Sequence, residues 1–317
     1  MDHYCPICKS LLQTNGTQYS IDQLLELWKP IIFTSQTIEE HRAQSQNTRM
    51  YSCPNCELDI FLPIIIGTPQ FYMEAYSLES SQITPNTFTY SDDKWEFEEA
   101  MEDLKGCQSI LEIGCGNGSF LDKIKPNFPI VIGVEFNEKA ILNARKKGLC
   151  IFGLKEENFL KRASIDVVLS FHVLEHVENP IKFIHRLCEL MKPDGKICIS
   201  VPNQDGPIKY IDPCITNMPP HHATRWRLKT FQHLANQTGL TIKRVSYEPL
   251  LLSNSSYYSY YWVNHTFQGK NIWALSLKKG LFIVMQSFFK IFQRLGIQYF
   301  SLLRGQSIYV VLEKRKD

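Results

Sequence analysis

Short apolar runs alternate in the middle of the chain with segments whose apolar residues recur every three or four positions. The runs are typical of buried strands, and the longer spacing is typical of helices that bury one face. Strands alternating with amphipathic helices predict a parallel, doubly wound α/β sheet. The predicted strands are 110–113, 130–134, 149–152 and 240–247, and the predicted helices are 97–104, 137–147, 181–191 and 228–238.

Residues that favour helix ends mark several of these boundaries. Asp92 or Asp93 is placed to cap the first of the four helices. Asn179 followed by a proline predicts the start of the third. Gly148 and Gly239 lie where the second and fourth helices should end.

The pattern changes toward both ends of the chain. A further helix is predicted at 21–28, and the polar stretch 77–92 is predicted to be a linker. An aromatic cluster at 257–262 precedes an apolar segment with interspersed lysines at 277–295. We predict core packing for this region, with contact to a membrane surface or a partner as the alternative.

Three alternating glycines follow the first strand of the α/β region. Gly114, Gly116 and Gly118 suit a tight strand-to-helix turn whose backbone N–H groups approach a ligand closely. The next strand ends in Glu135, where a carboxylate can accept hydrogen bonds from ribose hydroxyls. The two features together predict a nucleotide site, and this geometry also serves nicotinamide cofactors.

With Glu112 ahead of the glycines, the turn resembles motif I of the class I S-adenosylmethionine (SAM)-dependent methyltransferases. Residues 133–135 resemble the second motif of that family, residues 165–177 its fourth strand and turn, and 192–203 its fifth strand and substrate-facing loop. Residues 306–312 resemble the final antiparallel strand of the family. The resemblance implies a Rossmann-like sheet and a SAM site that includes Glu112, Gly114, Cys115, Gly116, Asn117, Gly118, Glu135, Phe136, Leu154, Glu156, Ser170 and Phe171.

A base is needed if the methyl acceptor must lose a proton, and histidine suits neutral pH. His221 and His222 follow two prolines in the segment 203–227, where this fold carries a substrate cover, and His172 follows the fourth strand. His176 lies behind the same strand, so four histidines compete for this role, and His221, His222 and His172 are the predicted catalytic residues. Nearby in that segment, Arg225 offers an anion contact and Trp226 a stacking plane.

The same region permits a metal hypothesis. His172, Glu175 and His176 fall on one face of a short helical turn and could share a divalent metal with a histidine of the 221–222 pair. The motif resembles the Glu-x-x-Glu-His metal site of ubiquinone-pathway O-methyltransferases, with His172 in place of the first glutamate. That replacement disfavours a hard cation.

Four cysteines form two identical Cys-Pro-x-Cys pairs near the N-terminus. Cys5, Cys8, Cys53 and Cys56 together predict a structural tetrahedral zinc site, with a redox role as the rival interpretation. The 44 residues between the pairs exceed the usual ribbon spacing, so a small subdomain must lie between them. The predicted organisation is a zinc-ribbon-like module at 1–76, the linker at 77–92 and a methyltransferase domain at 93–317.

Composition narrows the possible partners. The 317 residues include 34 Lys and Arg against 32 Asp and Glu, so the net charge of +2 creates no global field for nucleic acid. The start of the chain lacks a basic-then-apolar signal pattern, and no apolar run suits a membrane span. We therefore expect a cytoplasmic protein.

The four-cysteine module resembles that of deoxysugar C-methyltransferases, and some ribosomal-RNA guanine methyltransferases also carry a small zinc finger. We predict methylation of a small or carrier-linked metabolite, with a sugar or polysaccharide precursor as the preferred class. RNA methylation is the alternative enzyme, disfavoured by the absence of a basic cluster in the first 60 residues. A catalytically silent SAM-binding scaffold is the non-enzymatic alternative.

Overall fold

The structure is a computed structural model that describes residues 2–31, 34–76, 93–153, 156, 160–211, 213–269 and 272–315. The predicted linker 77–92 and Leu154 lie outside the described residues.

The N-terminal part folds as a small antiparallel sheet with helices between its strands. The capping box formed by Ser20 and Gln23 explains the start of the first helix, which has the predicted bounds. Its buried face, including Trp28, packs against Phe71. The elements are β1 (Gln13–Ser20), α1 (Ile21–Trp28), α2 (Ser35–Gln44), β2 (Asn47–Ser52), β3 (Asp59–Leu62) and α3 (Pro69–Ala75).

The central part alternates strands and helices as the apolar pattern predicts. Its elements are α4 (Trp95–Asp103), β4 (Ser109–Ile113), α5 (Ser119–Ile124), β5 (Ile130–Glu135), α6 (Glu138–Lys146), β6 (Cys150–Gly153), β7 (Ile165–Phe171), α7 (Pro180–Leu190) and β8 (Met191–Pro202). Strands β4 to β8 pair in parallel in the order β6-β5-β4-β7-β8. The predicted doubly wound α/β fold is confirmed, and strand order reverses between β4 and β7.

The chain then continues through β9 (Thr224–Arg225), α8 (Leu228–Thr238), β10 (Leu240–Leu251), α9 (Ser255–Thr266), α10 (Ile272–Arg294) and β11 (Tyr299–Lys314). Strand β11 pairs antiparallel with both β8 and β10 and so completes the large sheet.

Helix caps are confirmed at three of the four predicted places. The Asn179 side chain accepts from the backbone N–H of Lys182, and Gly148 and Gly239 adopt positive φ at their helix ends. The predicted cap of α4 is wrong, because that helix starts after Lys94 and has no side-chain cap hydrogen bond.

The two sheets are joined by β9, which pairs antiparallel with β3 of the N-terminal sheet. One buried cluster contains Ile7, Cys56 and Leu58 together with Trp226 and Phe231. The N-terminal part therefore shares its core with the substrate-cover segment, and the domain boundaries drawn from sequence stay a prediction.

The C-terminal helices do not follow the core-packing prediction throughout. Phe289 is buried, with Met285 and Phe292 partly buried beside it. In contrast, Trp273 and Val284 of the same helix are 83% and 64% exposed. Within the described residues, none of the helices combines the length and apolar character that crossing a membrane requires.

Candidate active site

A cavity of about 900 Å³ opens at the carboxyl ends of β4, β5 and β7. This is the edge where strand order reverses, the usual ligand position in an open α/β sheet. The glycine turn after β4 forms one wall, and another is formed by Tyr72 of α3 and by Tyr76, which directly follows that helix.

Glycine is required at the turn for steric reasons. Gly114 has φ 76°, and a Cβ there would lie 2.3 Å from Cγ2 of Val173. Gly118 has φ 74°, and a Cβ there would lie 2.3 Å from Cδ1 of Leu149. A larger residue at either place would be strained by the positive φ and would clash with its neighbour, so this turn conformation favours glycine at both positions.

The Glu135 carboxylate organises the turn from the end of β5. It accepts backbone N–H bonds from Gly116 at 2.8 Å, Phe136 at 2.8 Å and Asn137 at 2.9 Å. Burial raises its pKa, although the three N–H donors oppose that shift. An ionised carboxylate offers about four acceptor positions, so about one remains for a ligand hydroxyl.

Glu112 adds a second buried carboxyl group to the cavity wall. Burial raises its pKa to about 8, against the opposing charge of Lys94. Its Oε2 has no hydrogen-bond partner among the residues that the structure describes. A buried polar atom without a partner is costly, so this oxygen suits a bond to a polar group of a bound ligand.

Most of the sequence-predicted cofactor residues line this cavity. Glu156 does not, because it is paired with Arg145 at 2.8 Å and accepts from the backbone N–H of Gly153. Neither Gly118 nor the fully buried Ser170 is among the lining residues. The lining residues that the sequence did predict are Glu112, Gly114, Cys115, Gly116, Asn117, Glu135, Phe136 and Phe171.

His172 lies on the cavity wall between two carboxylates. Its Nε2 is 3.2 Å from Oε1 of Glu96, and its Nδ1 is 3.3 Å from Oε1 of Glu175. Burial alone would lower the pKa of His172, but Glu96 and Glu175 outweigh it and raise the pKa to about 10. The imidazole is therefore a fixed cation at neutral pH, which makes it a poor proton acceptor.

This pairing predicts a pH-dependent contribution to stability. Because the pKa of His172 rises from 6.5 to about 10, its contribution is fully present below pH 6.5 and is lost as the pH rises through 10. We expect the difference in unfolding free energy between the native protein and His172→Gln to shrink across that interval in denaturant titrations. A difference that does not change with pH would contradict the ion pair.

Three other histidines lie against one another beside His172. His221 and His222 stack with ring centroids 4.4 Å apart, and the His176 ring is 4.6 Å from the first and 4.8 Å from the second. His176 lines the cavity, whereas His221 and His222 are buried behind it and are not among the lining residues. The segment 203–227 thus brings both predicted histidines to the site, one layer behind its surface.

Hydrogen bonds fix the orientation of His176 and His222. Nδ1 of His176 contacts the backbone carbonyl of His221, so Nδ1 carries the proton and Nε2 is the acceptor. The Tyr72 hydroxyl is 2.9 Å from the same Nδ1. Nδ1 of His222 lies 3.1 Å from Oδ1 of Asn217. Burial lowers the pKa of His176 and places that of His222 well below its ordinary value.

The residues of the metal hypothesis lie around one carboxylate oxygen. Oε1 of Glu175 is 3.3 Å from Nδ1 of His172, 4.0 Å from Nε2 of His176 and 3.8 Å from Nε2 of His222. The possible ligand atoms of His176, His221 and His222 lie within 4.8 Å of one another. The rings of His221 and His222 are stacked only 20° from parallel, so their in-plane lone pairs do not converge well on one ion. His172 is instead engaged by its two carboxylates.

Two predicted side-chain roles in the cover segment are wrong. Arg225 is buried, donates to the carbonyl of Asn217 at 2.9 Å and lies over the ring of Phe61. Trp226 is fully buried against Phe231. Both residues stabilise the junction between the two sheets and offer no open surface to a ligand.

The four cysteines of the N-terminal pairs meet at one point. Cys5 Sγ is 3.4 Å from Cys56 Sγ, and Cys8 Sγ is 3.3 Å from Cys53 Sγ. All four sulfurs lie within 4.8 Å of one another, near the roughly 3.8 Å edge of a ZnS₄ tetrahedron with Zn–S bonds of about 2.3 Å.

The two cysteine turns have the same backbone conformation. Lys9 and Glu57, which directly follow the second cysteine of each pair, both have φ 63°. Each donates its N–H to the carbonyl of the first cysteine at 3.0 Å. This repeated turn aims both thiols of a pair in one direction, which suits a shared metal.

The sequence reasoning missed the residues that the N-terminal part contributes to the cavity. Tyr72 is 8% exposed, contacts Phe136 with ring centroids 5.3 Å apart and approaches His176. Nothing in the local sequence around Tyr72 indicates a ligand site. Tertiary contacts bring α3 to the methyltransferase-like motifs, among them the pairing of β3 with β9 and the bond from the Tyr72 hydroxyl to the His221 carbonyl.

A glycine turn after one parallel strand and a buried acidic residue after the next, around one large cavity, define an α/β domain of the nucleotide-cofactor-binding class. The model of the methyltransferase domain family matches residues 85–245, just over half of the 317-residue chain. The chain therefore belongs to that family.

Named relatives resemble only part of the chain. The ubiquinone biosynthesis O-methyltransferase of Glaesserella parasuis is 32% identical over 109 residues, covering 31% of this chain and 46% of the relative. A protein named as a probable S-adenosylmethionine-dependent methyltransferase of Mycolicibacterium smegmatis is 31% identical over 100 residues, covering 31% and 39%. The chain thus spans less than half the length of these curated relatives.

Among solved structures, one of the similar ones is a SAM-dependent methyltransferase from Archaeoglobus fulgidus. The match covers 69% of this chain and 91% of the Archaeoglobus chain. It is 19% identical, with a TM-score of 0.47. The fold assignment accordingly rests on the strand order and the family match.

Proposed function

We propose that this protein is a SAM-dependent methyltransferase that acts on a small or carrier-linked metabolite. The observation that carries the proposal is the glycine turn bonded to the buried Glu135 carboxylate at the wall of the large cavity. SAM supplies an electrophilic methyl group when bound. Gly114, Gly116 and Glu135 would hold its nucleoside, and the unpartnered Oε2 of Glu112 supports a further polar contact.

We propose His176 as the base that takes a proton from the methyl acceptor. Its Nδ1–H is held by the His221 carbonyl, so Nε2 is the acceptor of a neutral ring whose pKa is lowered by burial, although the Glu175 carboxylate, 4.0 Å from Nε2, opposes that shift. His221 and His222 would act through His176 as positioning residues. His172 would remain protonated and contribute a fixed positive charge to the wall.

Cationic side chains at the cavity support a phosphate-bearing carrier on the substrate. Lys94, Lys182 and Arg186 line it; Lys182 is exposed, and Arg186 also pairs with Glu189 at 3.1 Å. Guanidinium and ammonium groups bind phosphate well. Among phosphate-bearing acceptors we propose a nucleotide-linked or carrier-linked sugar, as a precursor of a polysaccharide or a modified sugar, because the four-cysteine module resembles that of deoxysugar C-methyltransferases.

The test combines binding with a transfer assay. S-adenosylhomocysteine titrated calorimetrically into the full chain should bind at one site. Labelled SAM should then transfer its methyl group to a member of a panel of sugar nucleotides, carrier-linked sugars and structured RNA. Transfer to RNA alone would favour the alternative enzyme, binding without transfer would favour the scaffold, and no binding would refute the proposal.

We also propose that Cys5, Cys8, Cys53 and Cys56 hold one structural zinc ion. The fourfold sulfur cluster and its two matching turns support this site. A closed four-thiolate shell leaves no position for water or substrate, so the metal would serve folding and not the chemistry. The carbonyl of Cys56 accepts from Thr230 at 2.9 Å, which ties the cluster to α8.

Replacing both Cys53 and Cys56 by Ser should reduce zinc from one ion per chain to almost none. It should also lower the unfolding temperature, because metal binding contributes to folding free energy. Elemental analysis and thermal denaturation measure the two effects. The control is Cys150→Ser, which changes an exposed cysteine outside the cluster. Full zinc content in the double variant would refute the site.

A further inference from the structure

The segment between Glu248 and Glu313 has an unusual charge composition. It contains six Lys and Arg residues and no acidic residue, although acidic residues make up 32 of 317 positions in the chain. The surface built by α9, α10 and the start of β11 thus carries positive charge without internal compensation. The chain as a whole is nearly neutral, so this concentration is local.

Helix α10 within this segment has two apolar faces. The inner one includes Phe289, which is 5% exposed, with Met285 and Phe292 packed beside it. The outer one is formed by Trp273, Leu277, Val284 and Ile291, and Leu295 extends it just past the last helical residue; these side chains are 83%, 57%, 64%, 57% and 70% exposed.

The outer apolar residues form a single stripe. At about 100° per residue, positions 273, 277, 284, 291 and 295 fall within roughly 40° of one another around the helix axis. From first to last they extend over about 33 Å at a rise of 1.5 Å per residue. A stripe of this length exceeds what singly scattered surface hydrophobics produce.

Three of the four basic residues of the helix border one side of this stripe. At the same 100° per residue, Lys279, Lys290 and Arg294 lie about 60° to 120° around the helix axis from the stripe, all on the same side. A helix with an apolar stripe bordered by Lys and Arg is suited to lie in the interface of an anionic membrane. None of the described helices has the length and apolar character to cross a bilayer. In the interface, the axis of α10 would lie parallel to the membrane surface.

We propose that α10 docks this protein on an anionic lipid surface through the stripe Trp273, Leu277, Val284, Ile291 and Leu295. Lys279, Lys290 and Arg294 supply the electrostatic attraction to lipid headgroups. A second copy of the chain fits this face less well, because two copies related by symmetry would place their uncompensated cations together. The proposal does not depend on the chemistry of the cavity.

Vesicle sedimentation with the full chain tests the proposal. We expect binding to phosphatidylcholine vesicles in which about a third of the lipid is anionic phosphatidylglycerol. Binding to vesicles of phosphatidylcholine alone should be much weaker. Higher salt should reduce the binding. Val284→Ser with Ile291→Ser, and separately Lys279→Gln with Lys290→Gln, should each lower the partition coefficient by about tenfold or more.

The matched control is Leu142→Ser, which removes a similarly exposed apolar side chain, 58% exposed, from α6. It should bind vesicles like the native protein. All variants should keep the native affinity for S-adenosylhomocysteine, which shows that the fold is intact. Absence of binding to anionic vesicles, or native binding by both double variants, would overturn the proposal. So would a dimer in sedimentation equilibrium that the Val284 and Ile291 changes dissociate.

Discussion

His176→Ala should lower methyl transfer by about a hundredfold or more, the usual scale of general acid–base help, while the affinity for S-adenosylhomocysteine stays near its native value. The reason is positional. His176 is the neutral histidine on the cavity wall, with Nδ1–H held by the His221 carbonyl. The measurement is steady-state transfer from labelled SAM to the acceptor that the panel identifies.

Two sets of variants make this result specific. His185→Ala changes an exposed histidine on α7 and should leave turnover unaltered. His221→Ala and His222→Ala should have smaller effects than His176→Ala, because both residues lie behind that ring. If either of them abolished turnover while His176→Ala did not, the base would belong to the pair that the sequence favoured.

The pH profile gives an independent readout. Burial lowers the pKa of His176 from its ordinary value of 6.5, although Glu175 opposes the shift. The ring therefore stays neutral at pH values where an ordinary histidine is protonated. The acid limb of the profile should lie below pH 6.5 and disappear in His176→Ala.

The cofactor-binding residues of the candidate site could be predicted from the sequence because they lie close together along the chain. Gly114, Gly116 and Glu135 are encoded within two consecutive strand-to-turn units, and the carboxylate contacts the turn directly. The assignments of Glu156 and Ser170 depended on the paths of other loops. Spacing does not report whether a side chain is turned toward Arg145 or buried in the sheet.

The roles of the histidines could not be predicted in the same way, because they are set by tertiary contacts between distant parts of the chain. His172 is made unsuitable as a base by Glu96, which reaches it from a helix 76 residues earlier in the chain. His221 packs against His176 and against aromatic residues of the N-terminal part, including Phe71 and Tyr72, and His222 packs against His176, so neither lines the cavity. The sequence identified the correct neighbourhood but not the order of its layers.

The fold was predictable where helices and strands bury one regular face. The α/β region followed its apolar pattern, whereas the C-terminal helix did not, because α10 is apolar on both its inner and its outer side. A period of 3.6 residues cannot indicate which of two apolar faces is covered. The union of the N-terminal sheet with β9 was also unpredictable, since that strand has only two residues.

Glu135→Ala should weaken binding of SAM and S-adenosylhomocysteine by about a hundredfold. A hydrogen bond to a charged group contributes about 1.5 to 3 kcal/mol, so loss of one ribose bond alone accounts for roughly 10- to 150-fold. The carboxylate also holds the N–H groups of Gly116, Phe136 and Asn137, and its removal loosens the turn. Calorimetry with S-adenosylhomocysteine measures the loss.

Glu156→Ala is the matched control, since it removes a glutamate that the resemblance assigns to the cofactor but that does not line the cavity. Its side chain is paired with Arg145 at 2.8 Å and partly exposed, and surface ion pairs contribute little. We expect nearly native affinity in this variant. Equal losses in both variants would mean that the loop after β6 contacts the ligand as directly as Glu135 does. An unchanged affinity in Glu135→Ala would remove the basis for locating the cofactor at the glycine turn.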